Sequence, residues 1–426
     1  MLAVHLLIWF ILRADNNLVI LKCSPKTLSE VGYFMSRIAF VLGTRPEIIK
    51  LAPVIKHVGQ DGSVIHTGQH YDPVLSEVQF FQLGISAPDV VLNGVGGNDR
   101  ATQVARGIEI LAKEFRLRRP KVVVVQGDTN AVTAAAQAAN YEGIPVVHVE
   151  AGLRSYDRDM PEELNRLVAG VVADVHCAPT SHSVNNLLRE GVSQNRIALT
   201  GNTVVEATMS AMDPNYSGLP DLPINVEENA FILSTIHRPE NTDSHARLLR
   251  ILTELRDLPL PVVFAMHPRT AAAVQRFSLE KELAGLHVVE GLGHVDFLQL
   301  AKASSMLVSD SGGLQEEATV IQKPIVVVRK STERPESIAA GWALLCAPDM
   351  KINIAARLLL ERHAQDYKSG RTRRHVYGDG LASKRISLIL EAIADGLSAE
   401  DAITESERQV APTDWLLNEG KSVKWK

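Results

Sequence analysis

The sequence is poor in cysteine. Cys23, Cys177 and Cys346 are the three in 426 residues, and they stand far apart. Their spacing matches no metal site and leaves one unpaired, which excludes a disulfide framework and fits reduced thiols in a cytoplasmic protein. There is no excess of positive charge either. A net charge of −5 offers no basic face for a phosphate backbone, so nucleic acid is not the expected partner. The apolar run near the start, "VHLLIWFIL" at residues 4–12, is too short to cross a bilayer and has no basic leader before it. That argues against membrane insertion and against a signal peptide. Residues 1–36 read as a loosely attached extension; the sharper alternative is Met35 as the start, because "MSRIAFVLGTRPE" opens at once as a strand and its loop. A P-loop is missing. The run "GVGGND" (94–99) lacks the third glycine of a dinucleotide fingerprint, and no helix is expected to open directly on it. Neither a nicotinamide cofactor nor a metal is expected.

What the sequence does have is a steady alternation of short β-rich runs and helical patterns from residue 37 onward. The strand candidates are "RIAFVL", "SVIHT", "DVVL", "KVVVVQ" and "IPVVHV", then "AFILSTI", "PVVFAM", "LHVVEG", "SSMLVS" and "KPIVVV". Nearly continuous Val and Ile imply burial on both faces, as in a parallel sheet covered by helices. The fold class is therefore α/β, with two doubly wound domains at 37–205 and 229–375. The Pro- and Asn-rich segment 211–229 between them reads as a linker. Residues 378–397 read as an amphipathic helix, and 398–426 as a polar tail without order.

Polar residues cluster after these strands. Arg45 and Glu47 follow the first, Asp128 and Thr129 follow "KVVVVQ", and Glu150 ends "IPVVHV". His237 and Arg238, His267 and Arg269, and Asp310 to Gly313 do the same in the second half. Ligands of open α/β sheets bind beyond the carboxyl ends of strands, so the economical arrangement is two domains whose strand ends face one cleft. Within "SDSGGLQEEA" (309–318), Asp310 or Ser311 can cap the next helix, and Gly312 and Gly313 let a phosphate approach its N–H groups. Glu317 could accept ribose hydroxyls or simply favour the helix dipole. Several other positions keep a plainer alternative. Asp128 could cap "TNAVTAAAQAA", Glu162 could pair with Arg166 one turn on, Arg334 could pair with Glu333 or Glu336 at the surface, and His237 could be a buried histidine satisfied by backbone.

Taken in order, "GTRPEIIKLAPVI", "TGQHYD", "QGDTNA", "HVEAGLRS", "MPEELNR", "GNTVVEA", "TIHRPENTD", "HPRT", "SDSGGLQEEA", "STERPES" and "YGDGLASKRI" closely resemble the non-hydrolysing UDP-N-acetylglucosamine 2-epimerases over residues 37–386. The resemblance implies a GT-B-like pair of Rossmann-like domains, with the C-terminal helix returning to the first. It also implies conversion of UDP-GlcNAc to UDP-ManNAc without cofactor or metal, by a homodimer. Carried over by motif, Arg45 and Lys50 contact substrate, Asp128, Glu150 and Glu162 are the essential acids, and His237 is the catalytic histidine. Ser311, Gly312, Gly313, Glu317 and Arg334 hold UDP, and His294 falls where the uracil is contacted. Pro239 replaces the second arginine of the family's "HRREN". "QHYD" stands where some members read "QHR", close to the site of an activating second UDP-sugar.

The chemistry explains the acids. The hydrogen on C2 of a GlcNAc unit is not beside a carbonyl carbon, so no ordinary base removes it directly. Breaking the C1–O bond to UDP makes the ring oxocarbenium-like and that hydrogen acidic. Carboxylates can then stabilise the cation and take the proton, while a second group returns one to the other face. Arg45, His237, Arg238 and the helix end at Ser311 are left to neutralise the departing diphosphate. A GT-B glycosyltransferase would account for Glu317 and the glycine pair but not for the acids, and a silent UDP-sugar sensor would bind without turnover. An epimerase of a UDP-diacetamido sugar would share every motif.

Overall fold

The computed structural model describes residues 8–14, 17–23, 36–69, 79–212, 227–348, 350–369 and 376–412. The "HYD" of "TGQHYD", most of the 211–229 linker and the chain after residue 412 lie outside them. Strands β1 (Ile8–Ala14) and β2 (Asn17–Cys23) form an antiparallel hairpin, a sheet of its own.

The first large sheet holds β3 (Ile38–Leu42), β4 (Gly62–His66), β5 (Val90–Val91), β6 (Val122–Gln126), β7 (Val146–Val149), β8 (Val175–Ala178) and β9 (Ile197–Leu199). Every pairing is parallel, in the order β5-β4-β3-β6-β7-β8-β9. All of β3 and β6 is buried, as their unbroken apolar runs require. The helices around this sheet are α1 (Arg45–Val58), α2 (Arg100–Arg118), α3 (Asn130–Tyr141), α4 (Pro161–Val172), α5 (Ser181–Arg189) and α6 (Val204–Ala211). The alanine-rich α3 buries Ala134, Ala135, Ala138 and Ala139, and such small side chains let α2 and α4 pack closely beside it.

The second sheet holds β10 (Ile232–Thr235), β11 (Val262–Ala265), β12 (His287–Val289), β13 (Met306–Ser309), β14 (Ile325–Val327) and β15 (Ala343–Leu345). It is also wholly parallel, in the order β12-β11-β10-β13-β14-β15. Its helices are α7 (Pro239–Thr242), α8 (His245–Arg256), α9 (Pro268–Phe277), α10 (His294–Ala303), α11 (Gly312–Val320), α12 (Pro335–Ala339) and α13 (Ile352–Ser369). Both sheets follow the doubly wound scheme, in which the strand order reverses beside the first strand. The reversals fall between β3 and β6 and between β10 and β13, and the residues that leave those four strands meet in one cleft.

Helix α14 (Ala382–Ala394) comes back to the first sheet, with Ile386, Ile389 and Leu390 in the same core as Phe40, Leu51 and Val124. Residues 399–409, expected in a polar tail, form helix α15 on top of it. Its charge hid a narrow buried stripe, Ala402, Ile403 and Ser406, and Ser398 caps its start. Arg385 secures the end of this hairpin by donating to the carbonyls of Val410 and Ala411.

Two further expectations are corrected. Helix α2 does open on "GVGGND", with the Asp99 side chain accepting from the N–H of Thr102. Helix α3 is capped by Thr129, not by Asp128.

Candidate active site

The cleft between the two sheets has a volume of about 990 Å³, the upper end of what a small-molecule site needs. Asp128, Glu150, Glu162, His237, Arg238, Arg45, Lys50, His294, Ser311, Gly312, Gly313, Glu317 and Arg334 all line it. A second cavity of about 890 Å³ lies on the far side of Arg45 and His294, but none of the three acids reaches it.

On the first-domain wall, Asp128 follows β6 and does not act as a cap. Its Oδ2 accepts two hydrogen bonds from Arg166, at 2.6 and 2.9 Å. Arg166 also reaches Glu163 at 2.5 Å, so the helical pair expected between Glu162 and Arg166 is absent. Glu162, one residue from Glu163 on α4, is half-buried and faces the cleft. Glu150 directly follows β7 at a φ of 64°, in the left-handed region that an ordinary residue enters only when its surroundings hold it there. Its carboxylate takes a hydrogen bond from Lys50, another from Asn202 at 3.1 Å and a longer one from Arg334 at 3.5 Å.

The second-domain wall starts at α11. Ser311 is its N-cap and accepts from Leu314, leaving buried Gly312 and half-buried Gly313 at the positive end of the helix beside the cleft. His294 and Glu317 are hydrogen-bonded to each other at 2.8 Å. Burial would raise the pKa of Glu317, but the His294 hydrogen bond and nearby cations hold it below the usual carboxylate range. Arg334 is no surface residue. It is buried among Glu333, Glu316 and Glu150 and stays firmly charged, because those carboxylates outweigh the cost of its desolvation.

His237 follows β10, with ring nitrogen Nδ1 3.4 Å from Asp310. Burial pulls its pKa down, and Asp310 works in the other direction. Asp310 itself is fully buried and accepts from the backbone N–H groups of His237 and Arg238 and from the Asn241 amide.

Sequence reasoning passed over several residues of this cluster. Arg166, Glu316, Glu333 and Glu47 lie one to four positions from Glu162, Glu317, Arg334 and Arg45, whereas Asn202, in "GNTVVEA", has no candidate residue near it in sequence. Glu47 is buried under the cleft floor and accepts from Gly43, Thr44 and Thr129 with no cation among those donors. Burial pushes its pKa up to about 7.

A family model described as UDP-N-acetylglucosamine 2-epimerase matches residues 55–391. This chain belongs to that family. A UDP-N-acetylglucosamine 2-epimerase of Methanococcus maripaludis is 36% identical over 365 residues, 83% of this chain and 97% of the relative. A family member from Pseudomonas aeruginosa, a UDP-2,3-diacetamido-2,3-dideoxy-D-glucuronate 2-epimerase, is 34% identical over 82% of this chain and 98% of its own. The crystal structure of the Methanocaldococcus jannaschii UDP-GlcNAc 2-epimerase in complex with UDP-GlcNAc and UDP superposes with a TM-score of 0.73. It is 34% identical and covers 83% of this chain and 99% of its own. The architecture is thus the GT-B-like one of the epimerase family, two Rossmann-like domains across a cleft.

Proposed function

We propose that this epimerase-family chain interconverts UDP-GlcNAc and UDP-ManNAc. One observation carries the reading: Asp128, Glu150 and Glu162 converge on the same cleft as His237 and the Ser311–Gly313 helix end. UDP lies with its diphosphate at that helix end and its ribose toward Glu317. The C1–O bond breaks and UDP departs with its negative charge, met by His237, Arg45 and Arg238. A carboxylate takes the C2 proton, and the electron pair of the C–H bond becomes the C1=C2 double bond of a 2-acetamidoglucal. Re-addition of the diphosphate oxygen at C1, with a proton delivered to the opposite face of C2, completes the inversion.

Incubation with UDP-GlcNAc in D₂O tests this by NMR. Deuterium appears at C2, and UDP-ManNAc accumulates. A product without deuterium would leave a glycosyltransferase-like transfer as the better account. The kinship with the diacetamido-uronate epimerase gives the second reading, a related UDP-diacetamido sugar, which competition between the two substrates decides.

We place the enzyme in the cytoplasm, supplying precursors for surface polysaccharide, and acting as a homodimer. Support for the dimer comes from Leu117, Tyr141 and Val171, exposed at 73, 70 and 83% in the last turns of the adjacent helices α2, α3 and α4. A polar substitution at Val171 that left the mass in solution unchanged at a dimer's value would remove that support.

A further inference from the structure

Glu316 is adjacent to Glu317 on α11, yet it does not line the cleft. Its side chain has no exposed surface and points toward the first domain. There it accepts from Lys50 of α1 at 2.8 Å and from Asn202, in the loop after β9, at 3.0 Å. From its own domain it forms an ion pair with Arg334, whose Nε lies 2.9 Å away. The same three donors, Lys50, Asn202 and Arg334, also reach Glu150. Two carboxylates from different domains therefore share one ammonium, one guanidinium and one amide.

The sharing has a mechanical consequence. Lys50 and Asn202 are brought between the carboxylates only when the second domain sits against the first. With Glu316 in place, the two cations are divided between two acids, and Glu150 is held at its strained backbone position with its donors on fixed sides. Without it, Lys50 and Arg334 are left with Glu150 as their common acid at this point, and nothing from α11 fixes where they stand. The helix that carries Glu316 is also the one whose first turn faces the diphosphate in the reading above. A nucleotide docked on Ser311–Gly313 thus fixes the element that arranges the donors around Glu150.

We propose that Glu316 is a positioning residue for the epimerisation: it aims Glu150 through Lys50, Asn202 and Arg334, and it makes that aim depend on contact between the two domains. This rests on the epimerase reading. It differs from a nucleotide-binding role, because Glu316 does not itself line the cleft where UDP would lie and acts only through the residues that do.

The test compares wild type with Glu316→Gln in two measurements, the rate of deuterium incorporation at C2 of UDP-GlcNAc in D₂O and the Kd for UDP by calorimetry. The variant is expected to lose at least about tenfold in kcat while its UDP affinity stays within about twofold. A kcat within about twofold of wild type overturns the proposal. So does a loss of UDP affinity that parallels the loss of kcat, because Glu316 would then serve the nucleotide pocket. If Glu316→Gln does not fold, Asn202→Ser, which removes the shared amide, is held to the same two outcomes. Absence of exchange in the wild-type protein defeats the epimerase reading, and this inference with it; exchange that persists undiminished in the variant defeats this inference alone.

Discussion

The buried carboxylate of Asp310 lies 3.4 Å from Nδ1 of His237 and also accepts the backbone N–H groups of His237 and Arg238. One side chain therefore fixes both the ring and the turn that carries it. The other ring nitrogen of His237 is left for a ligand, the arrangement found where an acid orients a histidine. Asp310→Asn keeps the shape and removes the charge. The His237 ring, already pulled down by burial, then loses the group that opposes that shift, so it titrates at lower pH than in wild type, as NMR would read. We expect kcat to fall by about ten- to a hundredfold, in line with removal of one charge-assisted contact. Asp310→Ala leaves two backbone donors and the Asn241 amide without their acceptor, and should cost roughly 2–4 kcal/mol of stability besides.

Arg166 grips Asp128 by two nitrogens and Glu163 by a third, all with little exposure on the arginine. Arg166→Gln breaks the buried pair with Glu163, which keeps only its Ser155 and Tyr156 donors, and leaves Asp128 to solvent; breaking a buried pair from one side costs up to about 3–5 kcal/mol. Glu162 has no hydrogen bond or ion pair among the described residues. Glu162→Gln should leave the melting curve within about 0.5 kcal/mol of wild type yet suppress deuterium exchange. Denaturation curves and exchange rates measured on the two variants separate a supporting residue from one needed only for turnover. Equal stability losses in both would contradict the assignment.

The two glycines that open α11 differ in what surrounds them. A Cβ on Gly312 would come within 2.9 Å of Arg334 and 3.0 Å of Glu333, while a Cβ on Gly313 meets nothing within 4 Å. No protein atom obstructs Gly313→Ala, and alanine is a better helix former than glycine by about 1 kcal/mol. If a diphosphate occupies that space, the same methyl group obstructs it. The expected result is an unchanged or slightly raised melting temperature with UDP affinity reduced about tenfold or more. Gly312→Ala should instead disturb the Arg334–Glu333 pair and lower stability.

Most of the architecture could be read from the sequence because parallel strands buried on both faces leave unbroken Val and Ile runs, as in "KVVVVQ" and "KPIVVV". In the two large sheets the strands that escaped, β8, β9 and β15, are only three or four residues long and contain small or polar residues, "VHCA", "IAL" and "ALL". Helix α15 escaped because three buried residues are few against its acids. In the site, residues at strand ends were legible by position. Partners such as Arg166 and Glu316 were not, since their importance comes from contacts with residues 38 and 266 positions away. Spacing within a motif cannot report which of two neighbouring acids turns inward, and it misdirected the pairing of Arg166.

Three buried groups set a pH dependence of stability whose sign can be worked out. Burial lowers the pKa of His148 to about 4 and that of His176 to about 3, from an ordinary 6.5. Below pH 6.5 the unfolded chain binds protons at these rings that the native state refuses, so stability falls as the solution is acidified, by about 1.4 kcal/mol per pH unit for each histidine. Glu47 acts the other way. Its carboxyl is raised from 4.5 to about 7, so the native state keeps a proton the unfolded chain has lost, and stability falls as pH rises through that window. Between pH 6.5 and 4.5 the two histidines outweigh the one acid, so these groups together make stability fall on acidification. Glu47→Gln removes the opposing contribution and should steepen that dependence, whereas His148→Gln should make it shallower. Urea denaturation of the three proteins at pH 6.5, 5.5 and 4.5 would show it. A His148→Gln variant with a steeper slope than wild type would mean that the ring is charged in the folded protein, and that the hydrogen bond it shares with the Gly127 carbonyl does not keep a neutral imidazole beneath Asp128.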